Sequence, residues 1–190
     1  MKNAGSTAST ESLLGFAILG MLHARPQSGY DLRKAFVATP MRLFSDSPGA
    51  IYPALRRLRV RGWIQPTAGG HSSRKREAFE PTRTGTRSFR AWLQEPVTRE
   101  QVVWGMEGTM LRFGFMGLIL PAMRTAAFLE SLAREIEAYV VELKRYHAAA
   151  ASGMPLTGRL ALGSGIDSYR TQARWARQAA GQFKKEAKRR

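Results

Sequence analysis

Apolar side chains recur every three or four residues along most of this chain, which is the spacing that buries one face of an α-helix. The pattern predicts a first helix over residues 12–23, with a stripe formed by Leu14, Ala17, Ile18, Met21 and Leu22. A second helix should begin at Ser28, as its N-cap, and stop at the Thr39-Pro40 pair, because the residue before a proline avoids helical angles. Residues 1–11 are rich in Ser, Thr, Ala and Gly and are predicted to be disordered.

The stretch SPGAIYPALRRLRVRGWI, residues 47–64, predicts a third helix with two unlike faces. Ile51, Leu55 and Leu58 form an apolar stripe, and the opposite face carries Gly49, Tyr52, Arg56 and Arg59, flanked by Arg57 and Arg61. Ser47 is the predicted N-cap, Pro48 the first helical residue and Gly62 the left-handed residue that ends the helix. Pro53 would then lie beyond the first turn, where proline removes a hydrogen bond, so a local distortion is predicted.

Two short extended runs, GWIQPT (62–67) and REAFEPT (76–82), surround the flexible, positively charged segment AGGHSSRK. They predict a β-hairpin with a basic tip, and residues 82–96 predict a further helix. The order helix, helix, helix, hairpin, helix is that of a winged helix-turn-helix domain, here residues 12–96, which lays one helix in the major groove of DNA. The fold class is therefore mainly α, with a two-stranded wing.

Residues 101–190 predict a second, wholly helical domain. VVWGMEGTMLRFGFMGLILP predicts an apolar helix, residues 124–151 a long helix, residues 152–165 a Gly-rich linker and residues 166–186 a last helix. Both long helices carry a heptad-like stripe: Leu129, Leu132, Ile136, Tyr139, Leu143 and Tyr146 on one, and Tyr169, Ala173, Ala176, Ala180 and Phe183 on the other. The stripes favour homodimerisation, since two helices make a thin core, but they could instead pack on each other within one chain.

The chain has 30 Lys and Arg residues against 14 Asp and Glu, for a net charge of +16. This excess favours a polyanionic partner, nucleic acid before an anionic membrane surface. The absence of cysteine excludes thiolate zinc sites and cysteine nucleophiles. His23, His71 and His147 show no spacing typical of a metal site or catalytic triad, so we expect no metal, no cofactor and no enzyme activity. The apolar runs are too short to span a bilayer, and we expect a cytoplasmic protein.

Three segments resemble the PadR family of bacterial transcriptional regulators: LLGFAILGMLHARPQSGYDLRKAF, SPGAIYPALRRLRVRGWI and REAFEPTRTGTRSFRAWL. IDSYRTQARWARQ is similar to part of the helical dimerisation region of the larger members. The resemblance implies a homodimeric winged-helix protein that binds a palindromic operator on double-stranded DNA. Members usually repress transcription and are released by a small aromatic or drug-like ligand, while some related proteins activate. The alternative to such a regulator is an architectural protein that binds nucleic acid without base discrimination.

Candidate DNA contacts follow from the third helix and the hairpin tip. Arg56 is the candidate for reading a guanine edge, since arginine can donate two hydrogen bonds to it. Tyr52 is expected to reach a phosphate or a thymine methyl group, and Arg57 a phosphate. Phosphate contacts are also predicted from Ser47, from the amides of Gly49 and Ala50, and from Arg74, Lys75 and Arg76 in the hairpin. The resemblance adds Tyr30 and Arg33 of the second helix as backbone contacts.

Candidate dimer contacts lie on the two long helices: Leu129, Leu132, Ile136, Tyr139, Leu143, Tyr169, Trp175, Ala176 and Phe183. Trp92, Trp104 and Trp175 are expected in the core or at the dimer interface. Trp104 and Trp175 are also candidates for an effector pocket, where aromatic side chains stack on a planar ligand.

Overall fold

The computed structural model describes residues 11–39, 48–67 and 77–189 of the chain. The chain divides into two compact units, with the boundary between Leu93 and Gln94. The first unit contains, in order, α1 (Leu13–Ala24), β1 (Gln27–Ser28), α2 (Gly29–Ala38), a 3₁₀ turn (Pro48–Ala50), α3 (Ile51–Val60), β2 (Ile64–Pro66), β3 (Ala78–Pro81) and α4 (Arg83–Leu93). The second contains α5 (Arg99–Trp104), α6 (Met106–Ile119), α7 (Ala122–Ala150) and α8 (Leu156–Ala187).

The first unit has the mainly helical winged-helix architecture predicted from the sequence, with a small antiparallel sheet. Its strand order is β1-β3-β2, so the hairpin of β2 and β3 is joined by a third, two-residue strand that the sequence pattern did not indicate. In that strand Gln27 is opposite Phe79 and Ser28 is opposite Ala78. A two-residue strand has no alternation to detect, which explains why sequence periodicity missed it.

Ser28 begins α2 as predicted, and it does so through a capping box. Its Oγ accepts a hydrogen bond from the Asp31 amide at 3.2 Å and donates one to Asp31 Oδ2 at 2.6 Å. The Ser28 amide donates to the same carboxylate. This reciprocal arrangement satisfies donors at the helix start and fixes where α2 begins.

The start of α3 differs from the sequence prediction: its N-cap is Ala50, without a side-chain cap, rather than Ser47, and Pro48 begins a 3₁₀ turn. The α-helix begins at Ile51 after a 3₁₀ turn, so Pro53 is its third residue. The predicted distortion at Pro53 is therefore wrong, because an amide in the first turn has no intrahelical partner to lose. At the other end the prediction is confirmed: Gly62 has φ of 66°. The Gly62 amide donates to the Arg59 carbonyl and the Trp63 amide donates to the Leu58 carbonyl, both at 2.9 Å, as in a Schellman motif.

The core of the first unit forms around α1, which is buried along most of its length. Phe16 stacks on Trp92 of α4 with ring centroids 4.3 Å apart, and Phe89 packs beside Trp92. The buried stripe of α3, formed by Ile51, Leu55 and Leu58, packs into the same core. Because this stripe faces inward, the opposite face of α3 is left on the surface.

Two predicted boundaries in the second unit are wrong. The single apolar helix predicted before Pro121 is split at Gly105, which ends α5 and begins α6. The predicted Gly-rich linker is mostly helical, since α8 begins at Leu156 rather than at residue 166. Each glycine costs a helix about 1 kcal/mol, and the first buried residue of α8 is Ile166, beyond this segment. No helix within the described ranges is both long and apolar enough to cross a membrane.

The stripes of α7 and α8 meet within one chain, which is the arrangement that the sequence left open beside dimerisation. Leu129, Leu132 and Ile136 on α7 are buried, as are Ala173, Ala176 and Ala180 on α8. Tyr139 contacts Tyr169 edge to face, with ring centroids 5.1 Å apart. Ion pairs Arg177–Glu137 and Lys184–Glu130 flank the contact. Side chains covered in this way do not by themselves require a second copy of the chain.

Arg112 is a buried cation in the middle of α6. It is 1% exposed, and its guanidinium donates to the Glu95 carbonyl and, at 3.3 Å, to Gln101 Oε1. The same group lies 4.9 Å from the centroid of the Phe128 ring. Burial lowers the pKa of Arg112 to about 10, which the nearby Glu95 opposes, so the side chain stays charged at neutral pH. Arg112 thereby ties the segment after α4 to α5, α6 and α7.

Candidate nucleic-acid interface

The outward face of α3 presents an aromatic and a cationic side chain. Tyr52 is 54% exposed and Arg56, one turn later, is also exposed. The Tyr52 ring is held against the start of α2, because a Cβ built on Gly29 would lie only 2.8 Å from its Cε1 atom. Gly29 is thus needed for the close approach of α2 and α3, and the phenol is positioned beside the α2 N-terminus.

A groove of about 640 Å³ runs between α2, α3 and β3. Leu55 and Phe79 give it an apolar lining, and Tyr30 and Tyr52 stand at its edges with Arg56, Arg59 and Glu77. Tyr30 is 36% exposed, and Lys34 lies 5.9 Å from the centroid of its ring. The groove brings Tyr30 of α2 and Tyr52 and Arg56 of α3 onto a single surface.

The arginines of α3 differ in their ion pairing. Arg57 and Arg61 both pair with Glu11, at 3.6 and 3.4 Å, and Arg59 pairs with Glu77 at 3.2 Å. Among the residues that the structure describes, Arg56 forms no ion pair. It is therefore the arginine of α3 whose donors are not shared with a described carboxylate.

Of the predicted contact residues, Tyr30, Tyr52 and Arg56 line the groove. Tyr30 and Arg33 are on α2, Gly49 and Ala50 in the 3₁₀ turn before α3, and Tyr52, Arg56 and Arg57 on α3. The backbone of Gly49 and Ala50 thus precedes the α-helix rather than beginning it. Ser47, Arg74, Lys75 and Arg76 lie outside the described residues. The acidic partners Glu11 and Glu77 were missed, because no local pattern relates them to α3.

The tryptophans are in different environments. Trp92 is buried in the core of the first unit, as expected. Trp104 is 83% exposed, and Trp175 meets Phe113 edge to face at 5.5 Å between ring centroids. An effector pocket lined by Trp104 and Trp175 stays a prediction. Within the described ranges, no three His, Asp or Glu side chains are grouped as a metal site would need.

Comparison with known proteins gives a family for the first unit. The family model for the transcriptional regulator PadR-like family matches residues 18–91. The chain matches no curated protein.

Solved structures of PadR-like regulators align with nearly the whole chain, at low sequence identity. One is the PadR-like transcriptional regulator from Bacillus cereus, with 22% identity over 91% of this chain and 99% of that chain and a TM-score of 0.37. Bacillus subtilis PadR in complex with operator DNA is 20% identical over 92% and 99%, with a TM-score of 0.39. The same protein with p-coumaric acid is 20% identical over 90% and 99%, with a TM-score of 0.40. Over residues 18–91, the chain is similar to the PadR-like family of transcriptional regulators.

Proposed function

We propose that this chain is a sequence-specific DNA-binding regulator that acts as a dimeric repressor. The observation that carries the proposal is the exposed face of α3, where Arg56 has no ion pair among the described residues and Tyr52 stands beside it. A helix with a buried apolar stripe and such an outer face is suited to lie in the major groove of duplex DNA. The net charge of +16 adds the long-range attraction that phosphates provide.

In this proposal the contacts divide into two classes. Arg56 reads a base edge, with guanine as its best partner because the guanidinium can donate to both O6 and N7. Tyr30, Arg33, Tyr52 and Arg57 contact phosphates or sugar, and so do the backbone amides of Gly49 and Ala50. Ser47 and the basic hairpin residues Arg74, Lys75 and Arg76 add phosphate contacts by their sequence positions. Phosphate contacts position the protein, and base contacts supply selectivity.

Dimerisation is proposed through the second unit. The contact between α7 and α8 leaves Trp175 part exposed, while Tyr139, Leu143, Tyr169 and Phe183 are half-buried. Trp175 and Phe183 both meet Phe113 of α6 edge to face. Next to Phe113, a Cβ on Gly114 or Gly117 would meet no other atom within 4 Å. An open face of small and aromatic side chains suits a second copy, which would place two α3 helices about 34 Å apart, one turn of DNA.

Release by a small aromatic or drug-like molecule is part of the same proposal and rests on the sequence resemblance. Trp104 and Trp175 are the side chains proposed to contact such a ligand. Planar aromatic ligands stack on indole rings. Tryptophan fluorescence would therefore report binding.

The proposal is tested by selecting bound sequences from random or genomic DNA with the full chain, with and without candidate aromatic acids. We expect one palindromic sequence to be enriched, at least a thousandfold tighter binding to it than to random duplex, and a dimer by light scattering. Equal affinity for every duplex would favour an architectural DNA-binding protein instead. A monomer at micromolar concentration would contradict the dimeric arrangement.

Arg56→Ala should relax base preference at one position in each half-site and weaken operator binding by about 1–3 kcal/mol. The physical reason is that alanine cannot donate to a base edge, whereas the phosphate contacts stay. Repeating the selection with the variant measures the change. Arg74→Ala is the matched control and should weaken all sequences about equally. The opposite pattern would reverse the roles assigned to the two arginines.

A further inference from the structure

Glu11 is an acidic side chain buried beside the proposed DNA-binding helix. It precedes Ser12, the N-cap of α1, and its side chain is only 1% exposed. Its carboxylate lies 3.6 Å from Arg57 Nη2 and 3.4 Å from Arg61 Nη1. One carboxylate therefore pairs with Arg57 of α3 and with Arg61, the C-cap residue that follows the helix.

Packing fixes this carboxylate from several sides. The amide and hydroxyl of Ser12 donate to Glu11 Oε1 at 3.0 and 3.1 Å. A Cβ on Gly15 would lie 2.4 Å from the same oxygen. On the far side, the Arg61 guanidinium lies 5.3 Å from the centroid of the Trp63 ring. The cluster is therefore built into the fold, unlike the pair of Arg59 and Glu77, whose two side chains are both about half exposed.

The two arginines share one side of α3. Arg57 and Arg61 are four residues apart, so they lie one above the other on the helix. Arg56 is the neighbour of Arg57 but points to the groove that it shares with Tyr52 and Arg59. Glu11 thus pairs with the cations on one flank of α3 and leaves the groove side open.

We propose that Glu11 is an intramolecular competitor of DNA phosphate, which withholds Arg57 and Arg61 from duplex DNA of random sequence. This inference rests on the proposed function. A phosphate that approaches either arginine competes with a carboxylate whose side chain is only 1% exposed. A buried carboxylate without its cation is costly, so these contacts add little to the sequence-independent affinity. Even Arg57, a predicted phosphate contact, is shared with Glu11.

The test uses the full chain with Glu11→Gln, which keeps the side-chain size and removes the charge. On a random-sequence duplex at physiological salt, we expect about 3- to 10-fold tighter binding than wild type. The slope of log affinity against log salt should steepen by about 0.9 for each additional phosphate that the protein neutralises. Glu107→Gln is the control, because it makes the same charge change on an exposed side chain of α6. Glu11→Gln that binds no tighter than Glu107→Gln would overturn the inference.

A second variant does not depend on how well Glu11→Gln folds. Arg57→Gln in the otherwise unchanged chain should weaken random-duplex binding by less than about twofold, because this cation is already committed to Glu11. Removal of a cation that is free to contact phosphate would weaken binding several-fold. A loss of affinity above about fivefold would contradict the inference. If the wild-type protein holds no duplex at all, the proposed function fails, and this inference fails with it. If the wild type binds duplex but Glu11→Gln binds no tighter than Glu107→Gln, only the role of Glu11 fails.

Discussion

Gly85→Ala should destabilise the first unit by about 3 kcal/mol or more. Gly85 lies in the first turn of α4, where alanine would normally be the better helix former. A Cβ at this position would, however, lie 2.0 Å from the Trp63 carbonyl oxygen. That carbonyl accepts a hydrogen bond from the Thr82 amide at 2.9 Å. The clash is therefore with hydrogen-bonded backbone, which cannot move aside as a flexible side chain would.

Peptide-resolved hydrogen exchange is the suitable measurement, because it reports each unit separately where a single unfolding curve would average both. Amides of α1, α3 and α4 should lose protection in Gly85→Ala. Gly163→Ala is the matched control: this glycine is also helical, and a Cβ there would meet no atom within 4 Å. It should be neutral or stabilise α8 by up to about 1 kcal/mol. If Gly85→Ala kept the hydrogen-exchange protection of the wild type, α4 and the Trp63 backbone would not be in close contact.

Arg112→Ala should destabilise the second unit by about 2–4 kcal/mol, through the cavity and the unsatisfied acceptors that it leaves. The substitution removes a buried side chain that packs on Phe128, which leaves a cavity. It also removes the donor to the Glu95 carbonyl and to Gln101 Oε1. Burial already raises the pKa of Glu95, and Arg112 opposes that rise. Without the cation, the pKa of Glu95 should therefore move further upward.

Urea unfolding followed by hydrogen exchange in α5, α6 and α7 measures this loss. Arg124→Ala supplies the control, since Arg124 is an exposed arginine on α7 and its loss should stay within about 0.5 kcal/mol. Arg112→Met should fall between the two, because it keeps the apolar contact with Phe128 and lacks the donors. If Arg112→Ala lowered the unfolding free energy no more than Arg124→Ala, Arg112 would not stabilise the segment after α4.

Local sequence signals predicted the elements that form the candidate interface. The start of α2 at Ser28 follows from a capping residue, and the end of α3 at Gly62 from a residue that tolerates positive φ. The outward orientation of Tyr52 and Arg56 follows from the buried stripe on the same helix. These features depend on residues within one or two helical turns of one another. They can therefore be predicted from a single sequence.

Longer-range features could not be predicted in this way. The helical start of α8 at Leu156 opposes the local preference of its glycines, so local sequence signals did not predict it. Whether the stripes of α7 and α8 meet each other or a second copy could not be known from their spacing, which is the same in both cases.

By itself the sequence determined that this protein has a winged-helix unit with a basic, tyrosine-bearing third helix, followed by long helices with apolar stripes. Only the tertiary structure decided which arginines of that helix are already paired, with Arg57 and Arg61 on Glu11 and Arg59 on Glu77. It also decided that α7 and α8 cover each other within one chain. The reason is physical: helix periodicity and capping are set by near neighbours along the chain, whereas ion pairs and helix contacts depend on which distant segments the fold brings within a few ångströms.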